Sequence, residues 1–133
     1  MRTVGGLPAA RSDVAVTASH STAYVVGGYD GTDWLDTILA RRPGSAARVV
    51  AHLRVGLRYA AASTVDGRVP VIGGSTPTGG SDAVYRFDPA TRRVRQLDRL
   101  PQRITHAAAA TLGPYVYLVG GRGDNLNSHT ASI

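Results

Sequence analysis

At 133 residues and 43% apolar content, the chain suits one domain with a modest core and is too apolar for a disordered tail. All fifteen basic residues are Arg and all nine acidic residues Asp, a net charge of +6; the helix formers Lys and Glu are missing while glycines number sixteen, so an all-β chain is expected. The absence of cysteine excludes disulfides, thiolate metal sites and thiol nucleophiles, and no apolar run approaches the roughly eighteen residues a membrane helix needs.

Along the chain, residues 1–6 lack the apolar core of a signal peptide and are expected to end a preceding unit. Leu7-Pro8 then opens a pattern that recurs. Leu7, Leu53 and Leu100 each stand twenty residues before a glycine doublet, Gly27-Gly28, Gly73-Gly74 and Gly120-Gly121, so the periods are 46 and 47 residues. After each leucine come small apolar runs, Val14–Val16, Tyr59–Ala62 and Ala107–Ala110. A short turn follows (Ser19-His20-Ser21, Asp66-Gly67, Gly113-Pro114) and then the strand that ends in the doublet. Turn-bounded and short, the alanine runs read as strands of a hairpin, not as helices.

Beyond each doublet lies a polar loop, then a third strand, Thr37–Ala40 or Ala83–Phe87. The second copy turns at Asp88-Pro89-Ala90-Thr91 into a fourth strand near Val94–Leu97 and arrives at Leu100-Pro101. Four strands in about 46 residues are one propeller blade. Blades over 7–53 and 54–100 and an incomplete one over 101–133 make a single partial propeller domain, too few to close a ring. A fragment of a longer protein is therefore expected, with copies that complete a ring as the other solution. Open blade faces would favour self-association.

These elements resemble the kelch repeat family. The doublet, the preceding Tyr (Tyr24, Tyr117), the Tyr85-Arg86-Phe87-Asp88-Pro89 run and the Leu-Pro spacer with its following Arg (Arg11, Arg103) carry the resemblance over residues 7–133. The resemblance implies a β-propeller of four-stranded antiparallel blades. In it the glycines serve sharp turns and close backbone approach, and the tyrosines fill space between blades. The family's outer-strand Trp is missing near Val94, and Pro70 replaces the doublet Tyr of the second copy, which should loosen that blade.

Chemistry is sparse. The histidines, His20, His52, His106 and His129, are far apart, so no metal site is expected. Asp30-Gly31-Thr32-Asp33 lacks the rest of a calcium loop; Gly79-Gly80 reads as a turn, and no catalytic residues or cofactor are assigned. Arg122-Gly123-Asp124 is a tripeptide of integrin ligands, too short to weigh. The Arg86–Arg103 arginines have little aromatic interleaving and read as a solvated edge, so nucleic acid is not the expected partner.

Asp13, Tyr59 and His106 hold the same repeat position, at the start of the inner strand, where two readings stand: solvated, locally hydrogen-bonded polar groups, or convergence at the mouth of a channel. The loops 29–36, 75–82 and 122–128 follow the doublets, and in the first of them Tyr29 and above all Trp34 are candidate contacts. The resulting expectation is a binding module that presents loops to a protein or glycan partner. A segment of a sugar-active kelch-type enzyme, mutarotase-, isomerase- or oxidase-like, is the alternative. The chain is read as soluble and cytoplasmic by default, with an exported parent equally compatible.

Overall fold

The computed structural model describes residues 1–3, 5–123 and 129–130, and among them are twelve β-strands and no helix. The chain is all-β. In the first sheet β1 (Ala15–Ser19), β2 (Thr22–Val26), β3 (Thr37–Arg41) and β4 (Arg48–His52) lie side by side in sequence order, all antiparallel. The second sheet repeats that order with β5 (Ala61–Ala62), β6 (Val69–Ile72), β9 (Ala83–Asp88) and β10 (Arg93–Arg99). A small hairpin of β7 (Ser75–Thr76) and β8 (Gly79–Gly80) interrupts it, so Gly79 and Gly80 form a short strand, where a plain turn was expected. The third unit is the pair β11 (Ala108–Leu112) and β12 (Tyr115–Val119).

Turn chemistry sets these registers. Asp66 and Gly67 both lie at positive φ (49° and 70°), as a two-residue hairpin turn of type I′ requires. Val65 and Arg68 close it with reciprocal backbone hydrogen bonds of 3.0 and 2.9 Å. At the β9–β10 turn the Asp88 carboxylate accepts the Ala90 N–H at 2.9 Å. Pro70 offers no N–H to the ladder, and beside it β5 pairs with β6 over two residues only; the second sheet is indeed the poorer one at its first strand.

The core forms where the first two sheets face each other. Tyr24, Val26 and Ile38 from the first meet Val69, Val71, Tyr85 and Phe87 from the second, all at most 8% exposed. Tyr24 and Phe87 pack edge to face with centroids 5.5 Å apart. Hydroxyl pairs tie β1 and β11 to the residues just past β5: Thr17 to Thr64 at 3.0 Å and Ser63 to Thr111 at 2.6 Å. Within each of the first two units, the Leu53 and Leu100 N–H groups donate to the carbonyls of Asp36 and Asp82, both at 2.7 Å, and prolong the pairing of the last two strands.

The doublets lock neighbouring units together. Gly28 N–H donates to Leu57 O and Gly74 N–H to Ile104 O, each at 2.8 Å. A Cβ on Gly27 would stand 2.3 Å from Leu57 O, and one on Gly73 2.4 Å from Ile104 O, so only glycine allows the backbones to approach. Tyr117, expected to fill an inter-unit space like Tyr24, instead is 41% exposed: the β12 face that matches the Tyr24 face is open among the described residues.

Candidate functional site

The first residue of each inner-strand entry adopts a left-handed backbone although it is not glycine: Asp13, Tyr59 and His106 have φ of 59°, 55° and 58°. Such conformations cost about 1–2 kcal/mol per residue. Inter-unit bonds over-determine them here. The Tyr59 N–H donates to Asp13 O and the His106 N–H to Tyr59 O, both at 3.0 Å, so the three residues form one rung across three units. Their side chains therefore stand together, and the Tyr59 and His106 rings stack with centroids 3.9 Å apart and planes 20° from parallel.

Arg58, which carries no motif, organises the rest. Its guanidinium donates through Nε and Nη2 to Asp13 Oδ2 (2.9 and 2.5 Å), and Nη2 also donates to the Tyr59 hydroxyl at 2.9 Å. It lies 4.3, 4.9 and 5.0 Å from the ring centroids of Tyr29, Trp34 and Tyr59, within cation–π range. The Arg58 and Asp13 side chains are 20% and 19% exposed, so the pair is shielded without being sealed from water.

Trp34 is the foremost candidate contact of its loop. It is half-buried, and its backbone and Cβ crowd Gly56, where a Cβ would fall 2.2 Å from Trp34 O. The Tyr29 hydroxyl is turned aside to Gly31 O at 2.8 Å, while the Asp30 carboxylate accepts the Thr32 and Asp33 N–H groups at 2.9 and 2.8 Å, closing a polar turn. Of the loop 122–128, residues 124–128 lie outside the described residues, and with them Asp124 of the Arg-Gly-Asp tripeptide. Arg122 bridges to Thr105 through reciprocal backbone bonds of 2.8 Å. Among the described residues no group of three metal-ligating side chains gathers.

Charge states follow from these contacts. Burial would raise the Asp13 carboxyl, but hydrogen bonds from Arg58 and Ser12 and the charge of Arg58 outweigh it and hold the group below the ordinary carboxylate range. Burial would likewise lower Arg58, and Asp13 more than reverses that. His106 is pushed below the usual imidazole range, by desolvation first and then by the charge of Arg122. At neutral pH the site thus holds an ionised, occupied carboxylate and a neutral imidazole. His106 Nδ1 sits 2.9 Å from Thr105 Oγ1, and no described residue engages its Nε2.

No family model and no curated protein matches the chain. Solved structures do, and one of them is described as the structure of YjhT. The chain shares its fold. The similarity has a TM-score of 0.80 at 10% sequence identity and covers 95% of this chain. This chain spans 42% of the length of the YjhT structure; no helix of its described residues is long and apolar enough to cross a membrane.

Proposed function

We propose that the chain is a kelch-type β-propeller segment that binds a glycan at the Asp13–Tyr59–His106 face. The observation that carries this reading is the gathering of Arg58, Asp13, Tyr59 and His106 with the rings of Tyr29 and Trp34 at one end of the sheets. The propeller reading rests on the repeated strand order and on the doublets that dock onto Leu57 and Ile104.

A sugar ring offers apolar C–H faces and a rim of hydroxyls. The Tyr59–His106 stack offers a ring face for the former. The Asp13 carboxylate, Arg58 and the His106 Nε2 supply acceptors and donors for the latter. The same groups make a weak proton-transfer site, because a carboxylate held ionised by Arg58 is a poor base. A protein partner would need a larger apolar centre than this polar, charged face provides.

The test is a glycan array probed with the wild-type chain and with His106→Ala and Tyr59→Ala. Wild-type protein should retain a defined set of glycans that His106→Ala loses while its thermal melt stays unchanged. A wild-type chain that binds no glycan, or a variant that binds the same set equally, would sink the reading.

A further inference from the structure

The opposite end of the sheets has a different chemistry. There the β3–β4 turn of the first sheet approaches the β9–β10 turn of the second, and a cleft of about 290 Å³ opens between them. Its apolar lining is Ala40 and Val50, half-buried, over the nearly closed rings of Tyr24 and Phe87 (8% and 1% exposed). Its rim is made of guanidinium groups: Arg42, Arg48 and Arg92 line it, with the hydroxyls of Thr22 and Ser45, and no carboxylate is among its lining residues.

Gathering three like charges around one opening is unfavourable by itself. Asp88, which lines the adjoining hollow with Arg42, has its direct contacts elsewhere: its Oδ2 lies 3.8 Å from Arg68 and its Oδ1 accepts the Ala90 and Thr91 N–H groups. The Arg48 and Arg92 guanidinium groups make no hydrogen bond or ion pair with the described residues. Arg42 is the ordered member. Its Nε donates to Thr22 Oγ1 at 3.3 Å, and Ser45 Oγ, which accepts its N–H at 3.2 Å, also donates to its carbonyl at 3.0 Å. Arg92 occupies a left-handed turn position at φ 57°, a place usually given to Gly or Asn, so its side chain is kept there at a conformational cost.

We infer that this cleft binds a small organic anion, with a phosphate or carboxylate head held between Arg42, Arg48 and Arg92 and a compact apolar body laid against Ala40 and Val50 beside the edge of Tyr24. Guanidinium forks match both head groups bidentately. The volume is at the small end for ligand sites, about 300 Å³ and upward, which suits a compact body and its head and excludes a long ligand. This site is independent of the glycan-binding reading, since it lies at the other end of the strands and shares no residue with that face.

The experiment is isothermal titration of the whole chain with phenyl phosphate, benzoate and inorganic phosphate at low salt. One saturable site is expected, with a ring-bearing anion bound at least about tenfold more tightly than inorganic phosphate and weakened about tenfold or more in the Arg48→Gln/Arg92→Asn double variant. Asparagine tolerates the left-handed turn, and both arginines are exposed, so the variant should keep the wild-type circular dichroism. Phenyl phosphate and benzoate distinguish the two head groups. Non-saturating heats with both, or equal affinities in wild type and variant, would overturn the proposal. So would a single-stranded oligonucleotide that binds more tightly than either small anion, since the arginines would then form an extended polyanion surface.

Discussion

Glycine at position 27 is required twice over, by a φ of 65° and by the Leu57 carbonyl 2.3 Å from where a Cβ would stand. Gly31 has φ 103° and nothing within 4 Å, so it needs glycine for conformation alone. The pair separates the two causes. Gly31→Ala should cost about 1–2 kcal/mol of stability from the backbone alone. Gly27→Ala should cost roughly 3 kcal/mol or more, because the inter-unit hydrogen bond at Gly28 must also shift. Urea unfolding of both variants measures the difference; equal losses would show that the close approach to Leu57 carries no energy. His106 offers a second test at this scale. An unfolded imidazole titrates near ~6.5, and the folded one lies lower, through burial and Arg122. Between the two values the unfolded chain binds more protons, so stability is intact above ~6.5 and falls as pH drops toward the folded value. Asp13, lowered as well, adds a second loss below the ordinary carboxylate range, near ~3.9. An NMR titration should place His106 below ~6.5 and show Arg122→Gln moving it upward; an unshifted imidazole in both proteins would contradict the assignment.

At the scale of elements, Tyr24 and Tyr117 hold one repeat position in two settings. Tyr24 is 8% exposed and packed on Phe87, whereas Tyr117 is 41% exposed. Tyr24→Ala should therefore cost about 3–5 kcal/mol, as for other buried aromatics, and Tyr117→Ala under about 1 kcal/mol in dilute monomer. Denaturant melts of the two variants would settle it, and similar losses would mean that β12 is covered. Much of this layer was legible beforehand. The strand character of the alanine runs, the third strands and the weak first strand beside Pro70 all follow from turn residues, period and the missing N–H. The short β7–β8 hairpin was not legible, because two-residue strands leave no alternation. In the candidate site, the shared position of Asp13, Tyr59 and His106 follows from the repeat register, and the folded chain decides for convergence over separate solvated groups. The part of Arg58 and the half-buried seat of Trp34 do not follow from the register. Arg58 shares its column with Ser12 and Thr105, and only the folded chain shows its head reaching back over Asp13. Trp34 lies in a polar loop, where burial depends on Gly56 of the next unit.

At the scale of the whole molecule, the same comparison of repeat positions bears on association. The first unit buries Ser19, Thr22, Tyr24 and Val26, all at most 9% exposed, while the matching residues Leu112, Tyr115, Tyr117 and Val119 are 71%, 66%, 41% and 42% exposed. Two of those four positions are more apolar in the third unit than in the first, so the open face is a stronger apolar surface than the one already covered by a sheet. A contiguous strip of this kind on a monomer marks an association surface, and the internal Tyr24–Phe87 contact shows what fits it: the face of another sheet of this repeat. Two sources fit that sheet, further repeats of a longer chain or a second copy; if a second copy supplies it, mass measured by light scattering rises from 13.9 kDa toward a discrete multiple with concentration. Tyr115→Ser/Tyr117→Ser should return the chain to monomer at every concentration without changing its circular dichroism, since both residues are exposed. An invariant 13.9 kDa species in the wild type would refute copy-to-copy docking. Association that survives the double substitution would move the contact to another face. The outcome also decides the surroundings of the anion cleft: a copy docked on β11–β12 leaves the groove between the first and second sheets free, so phenyl phosphate should bind monomer and oligomer alike.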